Sequence, residues 1–190
     1  NGEERLDRVL ATDPVLSPLA AKRERITDVF TYTNYQLISD RAQGPGWVSA
    51  GDAFGFVDPM LSPGVFLALD AAEALSAMFD RHGEKLLDSP ERLAKELGRY
   101  EQRQRAWHQA WHELIEYFYD GRIVGFYEKG MQLSMEHPGR FSEMMGFISN
   151  RVVALMATGA GTLSRVNRMY LKGCFKWLLN SERTKELALP

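Results

Sequence analysis

Apolar and polar residues follow two different patterns along this chain, and the change comes at Gly64. Before that point, residues 26–39 (ITDVFTYTNYQLIS) are rich in β-branched and aromatic side chains, which favours a strand. A turn at Gly44-Pro45-Gly46 precedes a shorter strand candidate at residues 47–50. So few strands do not form a stable sheet by themselves. We therefore expect strands that lie outside this chain to complete the sheet.

From Gly64 onward the pattern is helical. Residues 65–81 are dense in the helix formers Ala and Leu, and Ser89-Pro90 is a start signal for a longer helix that ends near Tyr119. Apolar residues recur on this long helix at steps of three and four, which indicates one face packed against a partner. That face comprises Leu93, Leu97, Tyr100, Trp107, Trp111, Leu114 and Phe118, with Gln104 in the gap. Further helices are predicted at residues 2–10, 123–133, 140–157 and 163–179.

A little β structure followed by much helix predicts an α/β fragment that is predominantly α-helical after residue 64. Residues 1–64 would hold the end of a sheet and a ligand-binding loop. Residues 65–190 would form a helical region that closes the same domain and extends into a helical subdomain.

Composition narrows the classes of function. The chain has 190 residues, 45% of them hydrophobic and 25% charged, which is ordinary for a globular protein. The net charge of -2 provides no basic surface for nucleic acid. The best apolar run, at residues 152–163, is about 12 residues long against the roughly 20 of a spanning helix, so no membrane span is expected. A single cysteine, Cys174, and a start unlike a signal peptide predict a cytoplasmic protein.

The segment Gly51–Gly64 (GDAFGFVDPMLSPG) has the residues of a ligand site. A Gly-Asp pair ends a strand, where the Asp52 carboxylate can accept hydrogen bonds from sugar-like hydroxyls. Gly51 and Gly55 permit close approach of the backbone to a ligand. The loop then leads to the start of a long helix, whose free N–H groups and positive dipole end would stabilise an anion such as a reduced flavin.

With the strand before it and the Ala-rich helix after it, this segment resembles the second flavin-binding motif of the hydroxybenzoate-hydroxylase-like flavoproteins. The form Gly-Asp-Ala-x-x-Phe-Val-Asp-Pro-x-x-Ser-x-Gly-Val is most similar to the flavin-dependent, tryptophan halogenase-like enzymes. The resemblance covers residues 44–75. It implies the C-terminal part of an FAD-dependent oxidoreductase with a Rossmann-like fold, inactive as an isolated fragment.

The resemblance also implies which residues of this chain bind the cofactor. The Gly-Asp pair would contact the ribityl chain of FAD, and the Asp-Pro pair would run past the isoalloxazine ring. The end of the loop would offer hydrogen-bond donors to the ring edge and to a halide. In chain order, these residues are Gly51, Asp52, Asp58, Pro59, Ser62, Gly64 and Val65.

Two positions depart from the pattern of the halogenases. Leu61 stands where tryptophan-type members have a glutamate, which argues against a carboxylate-assisted mechanism of that type. Pro63 stands where an amide that binds the halide is expected, and proline has no N–H to donate. We therefore expect weak halide affinity, which favours direct oxygen transfer over halogenation.

The implied reaction uses reduced FAD and oxygen on an aromatic or apolar small molecule, free or carrier-bound, with a flavin reductase as electron source. The residues of this chain identify no catalytic group. The Gly-x-Gly-x-x-Gly fingerprint that grips the FAD pyrophosphate is absent from residues 1–190, so we expect this chain alone to bind FAD weakly. Two alternatives stay open: a flavin-dependent alkene reductase of the geranylgeranyl-reductase kind, and a non-enzymatic helical interaction domain with a decayed motif.

Two other groups of residues could carry chemistry. His108 and His112 lie four residues apart on the long helix, but no third ligand is near them in sequence, so no metal site is expected. The pair would be solvated or would face the substrate. A group of aromatic residues is expected to pack in a core, with an apolar substrate pocket as the alternative. They are Trp107, Trp111, Tyr117, Phe118, Tyr119, Phe126 and Tyr127.

Overall fold

The computed structural model describes residues 2–31 and 36–188. The chain divides between residues 35 and 36 into two compact units. The first contains α1 (Gly2–Thr12) and α2 (Leu16–Ala20), so the predicted N-terminal helix is confirmed. Arg23 pairs with Asp7 at 2.5 Å across the unit. The boundary between these two units lies well before residue 64. The predicted boundary at residue 64 stays a prediction.

The strand predicted at residues 26–39 is wrong for most of its described length. Residues 26–31 are irregular, residues 32–35 lie outside the described part of the chain, and only β1 (Leu37–Ile38) is a strand. A strand needs a neighbour to accept and donate its backbone hydrogen bonds. Among the described residues no strand pairs with residues 26–31, so their β-forming composition does not make them a strand.

The β structure of the second unit consists of two short antiparallel pairs. β2 (Gln43–Gly44) pairs with β3 (Trp47–Val48) around the predicted turn, in which Gly46 has φ +78°. β1 pairs with β4 (Gly55–Phe56), so that Ile38 lies opposite Gly55. Pairs of two residues are too short to be stable alone, so their position depends on the helices beside them.

Helices dominate the rest of the second unit, and every helix predicted after residue 64 is confirmed with small shifts at its ends. They are α3 (Gly64–His82), α4 (Pro90–Tyr119), α5 (Arg122–Glu136), α6 (Arg140–Ala157), α7 (Arg165–Leu178) and α8 (Ser181–Leu187). The last of these was not predicted. Ser89 precedes α4 as expected, but its side chain makes no capping hydrogen bond. Among the described residues, no helix combines the length and apolar character needed to cross a membrane.

The core is organised by α4, whose 30 residues span about 45 Å. Its predicted apolar face is confirmed: every residue of that face is buried or partly buried. Trp111 and Leu114 pack in the main core with Leu171 of α7, and this core also includes Val57 of the Gly51–Gly64 segment. The position of that segment therefore depends on the same core as the helices.

A buried carboxylate ties α3 to α4. Asp70 is 7% exposed and accepts hydrogen bonds from Arg103 Nε at 3.1 Å, Arg103 Nη2 at 2.5 Å and Gln104 Nε2 at 3.0 Å. A buried charge is tolerated only when it is paired and hydrogen-bonded, and these donors meet that requirement. Because α3 begins at the end of the Gly51–Gly64 segment, this contact helps to fix the segment against α4.

Substitution of Gly121 by alanine should destabilise the protein. Gly121 lies between α4 and α5 with φ +79°, and an added Cβ would lie 2.4 Å from the Thr184 carbonyl oxygen of α8. We expect Gly121→Ala to lower the free energy of unfolding, measured by chemical denaturation, by about 1–3 kcal/mol. The matched control is Gly98→Ala in α4, where an added Cβ meets nothing within 4 Å. That change should stabilise the helix by about 0.5–1 kcal/mol. Equal stability of the two variants would contradict this packing.

Candidate functional site

The Gly51–Gly64 segment starts directly against α3. Ala50 is extended, and Gly51 follows with φ +55°, a conformation that favours glycine. A Cβ on Gly51 would lie 3.2 Å from the Cβ of Ala68. Gly51 therefore meets both a conformational and a packing requirement, and it brings the next residue, Asp52, beside the start of the helix.

The Asp52 carboxylate and the first residue of α3 are neighbours. A Cβ built on Gly64 would lie 3.8 Å from Asp52 Oδ1, and Asp52 is exposed. Leu67 N is the first α3 amide that bonds along the helix, to the Pro63 carbonyl at 2.9 Å. The amides before it belong to the first turn, which has no intrahelical acceptor for them. An exposed carboxylate and a positive helix end thus lie side by side.

The loop between Asp58 and Pro63 is closed by its own hydrogen bonds. Asp58 Oδ1 accepts from Met60 N at 3.0 Å and caps the single turn of 3-10 helix at Pro59–Leu61. Ser62 has φ +51°, and its amide donates to the Pro59 carbonyl at 2.8 Å. The Ser62 hydroxyl donates to the same carbonyl at 3.3 Å. Both donors of Ser62 are therefore used within the loop.

Three side chains of α4 hold the segment and the residue Ser49 just before it. Tyr100 donates its hydroxyl to the Ser49 carbonyl at 2.7 Å. His108 Nε2 lies 2.9 Å from the Gly55 carbonyl, and Tyr119 donates to Asp58 Oδ2 at 3.1 Å. We call these three residues the α4 clamp. Burial, and then the nearby Asp70 charge, raise the pKa of Tyr100 to about 12, so this hydroxyl remains a donor at neutral pH.

The structure brings some of the predicted site residues together. Others mainly hold the loop in its conformation. Gly51, Asp52 and Gly64 form one patch, and Val65 follows with 74% of its surface exposed. Pro59 is exposed at the start of its turn. Asp58 and Ser62 mainly shape the loop, as their hydrogen bonds indicate. The assignment of all seven residues to a cofactor stays a prediction.

The expectation that His108 and His112 form a solvated or substrate-facing pair is wrong for His108. That ring is fully buried against Gly55, whereas His112 is exposed and lies 2.8 Å from Gln36 Oε1. Helical spacing puts the two residues on the same side of α4, one turn apart, but His108 bonds to the segment and His112 bonds to Gln36. In residues 2–31 and 36–188, no cluster of three or more His, Cys, Asp or Glu side chains is arranged to hold a metal ion.

The aromatic group packs as a core, as expected, with the exception of Tyr127. Trp107, Trp111, Tyr117 and Phe126 are buried, while Tyr127 is 41% exposed. Phe66, in the first turn of α3, contacts the Trp107 ring edge-on at 4.8 Å between centroids. The start of α3 is therefore packed on the same aromatic residues that form the core.

The Asp52 carboxylate and the start of α3 are the residues of this segment that could hold part of a flavin. An exposed carboxylate can accept hydrogen bonds from sugar hydroxyls, and the adjacent helix start can stabilise negative charge. Gly64 has no side chain that would cover the amides of this first turn. Among the predicted positions, Asp52, Pro59, Ser62 and Val65 are exposed.

The comparisons with known proteins give one result that bears on this geometry. Over 160 residues, or 83% of its length, the chain is 26% identical to a tryptophan 2-halogenase from Chondromyces crocatus. The match covers 30% of that protein, so the chain spans about a third of the relative's length. No family model matches the chain, and no solved structure matches it. The similarity supports a halogenase-like family.

Proposed function

We propose that the protein is an FAD-dependent oxidoreductase of the halogenase or monooxygenase type, and that Gly51–Val65 is this chain's contribution to the flavin site. The observation that carries the proposal is the position of the exposed Asp52 carboxylate beside Gly64 at the start of α3. The similarity to a tryptophan 2-halogenase supports the same class. A Rossmann-like domain that holds the FAD pyrophosphate is part of this proposal.

Each residue of the patch has a separate task in this proposal. Asp52 accepts hydrogen bonds from the ribityl hydroxyls and orients the cofactor. The amides of Gly64 and Val65 bind the electron-rich edge of the ring, assisted by the helix dipole. Pro59 packs beside the ring, while Asp58 and Ser62 keep the loop in shape. When bound, FAD supplies the redox chemistry with oxygen, and the protein supplies position and shielding.

The substrate in this proposal is an aromatic or apolar small molecule, free or carrier-bound, and a flavin reductase delivers the electrons. The chain does not favour tight halide binding. Pro63 has no N–H, and both donors of Ser62 are already bonded to the Pro59 carbonyl. The amides of the first turn of α3 are the donors next to Pro63.

Replacement of Asp52 by alanine should weaken FAD binding in the full natural protein. A charge-assisted hydrogen bond contributes roughly 1.5–3 kcal/mol, which corresponds to about a ten- to a hundredfold loss of affinity. Fluorescence titration with FAD measures this loss. The matched control is Asp80→Ala, which removes an exposed carboxylate near the other end of α3 and should leave affinity unchanged. Equal affinity of the Asp52 variant and the wild type would remove Asp52 from the site.

Replacement of Pro63 by alanine should strengthen the response to halide. Pro63 has φ -75°, which alanine adopts readily, so the change adds one N–H where proline has none. One donor to an anion is worth about tenfold or more in affinity. The measurement is product formation against chloride and bromide concentration, with a flavin reductase supplying reduced FAD.

The control for that experiment is Pro90→Ala, the same chemical change at the first residue of α4. It should leave the halide response as in the wild type. Half-maximal halogenation at an unchanged chloride concentration in the Pro63 variant would show that this position takes no part in binding the anion. Product formation indifferent to halide in every variant would indicate direct oxygen transfer.

A further inference from the structure

The His108 ring connects α4 to the middle of the Gly51–Gly64 segment. It is fully buried, with Nδ1 2.9 Å from the Gln104 carbonyl oxygen and Nε2 2.9 Å from the Gly55 carbonyl oxygen. Carbonyl oxygens only accept, so a ring nitrogen must carry a proton to bond with either. A neutral ring can serve one of them at a time.

The two carbonyls do not depend on His108 equally. Gln104 lies inside α4, where its carbonyl already accepts the backbone N–H four residues later, which is that of His108 itself. Gly55 lies in the short strand β4 and is buried. A buried carbonyl that loses its donor is costly to the conformation that buries it. The bond to Gly55 is therefore the one with consequences for the segment.

Packing holds the ring in this position. A Cβ on Gly55 would lie 2.8 Å from His108 Cδ2, so glycine is what allows the ring to approach the backbone so closely. The Phe54 ring meets the imidazole edge-on, with centroids 5.1 Å apart and an interplanar angle of 86°. The hydrogen bond thus joins two groups that the core already places in contact.

We propose that His108 is a positioning residue for the flavin site, through the hydrogen bond from its Nε2–H to the Gly55 carbonyl. This inference rests on the proposed function. Gly55 lies midway between Asp52 and Asp58 in the chain, so the bond fixes the part of the segment that carries the ribityl-binding carboxylate. His108 does not touch the cofactor, and it acts through the backbone of the segment.

The test compares His108→Gln with His108→Met in the full natural protein. Both side chains are similar in length and both remove the ring, but only glutamine keeps an N–H that can reach the Gly55 carbonyl. The two readouts are FAD affinity by fluorescence titration and amide hydrogen exchange across residues 51–64. Circular dichroism establishes that each variant is folded at the temperature used.

We expect the methionine variant to bind FAD about tenfold more weakly and to exchange faster at residues 51–64, with α4 unchanged. The glutamine variant should stay close to the wild type in both readouts. Equal losses in the two variants, or no loss in either, would overturn the inference. If the wild-type protein does not bind FAD in the titration, the proposed function is overturned, and the inference with it.

A measurement on the wild type keeps the inference testable if the variants do not fold. The ¹⁵N chemical shifts of the His108 ring report which nitrogen carries a proton. We expect a slowly exchanging proton on Nε2. A ring with its proton on Nδ1 alone cannot donate to Gly55 and would overturn the inference.

Discussion

The hydrogen bond between His108 and the Gly55 carbonyl joins the longest helix of the chain to the loop that carries its candidate chemistry. Tyr100 and Tyr119 make the other contacts of the α4 clamp, at Ser49 and Asp58. The β pairs of the loop are short, so it takes its position from α4 and from α3. The helix in turn is fixed by the aromatic core and by the Asp70 contact with α3. The geometry of the patch therefore depends on helix packing that lies outside the motif.

The start of α3 shows how the same packing prepares a surface for a ligand. Gly51 lies against Ala68 in a conformation that favours glycine, and this places the Asp52 carboxylate beside Gly64. Phe66 anchors the first turn on Trp107, while Val65 and Asp52 remain exposed. The buried side of the turn supplies rigidity. The exposed side presents a carboxylate and a positive helix end to solvent.

Local patterns predicted the helices well because periodicity, proline and glycine act within one element, as α4 and its apolar face illustrate. Residues 26–31 could not be predicted in this way, since a strand depends on a partner that composition does not reveal. The closed loop at Asp58–Ser62 and the burial of His108 also depend on contacts between distant parts of the chain. The one local sign of this burial was the position of His108, which lies four residues after Gln104 at the edge of the apolar face of α4. The motif itself could be found from sequence because its glycines, carboxylate and helix start are contiguous.

The central claim is that a flavin binds where Asp52 meets the start of α3. A crystal structure of the full natural protein with FAD tests this claim most directly. We predict ribityl hydroxyls within about 3 Å of the Asp52 carboxylate, and the ring edge at the amides of Gly64 and Val65. Electron density for FAD elsewhere, with Asp52 and the first turn of α3 left in contact with solvent, would contradict the account.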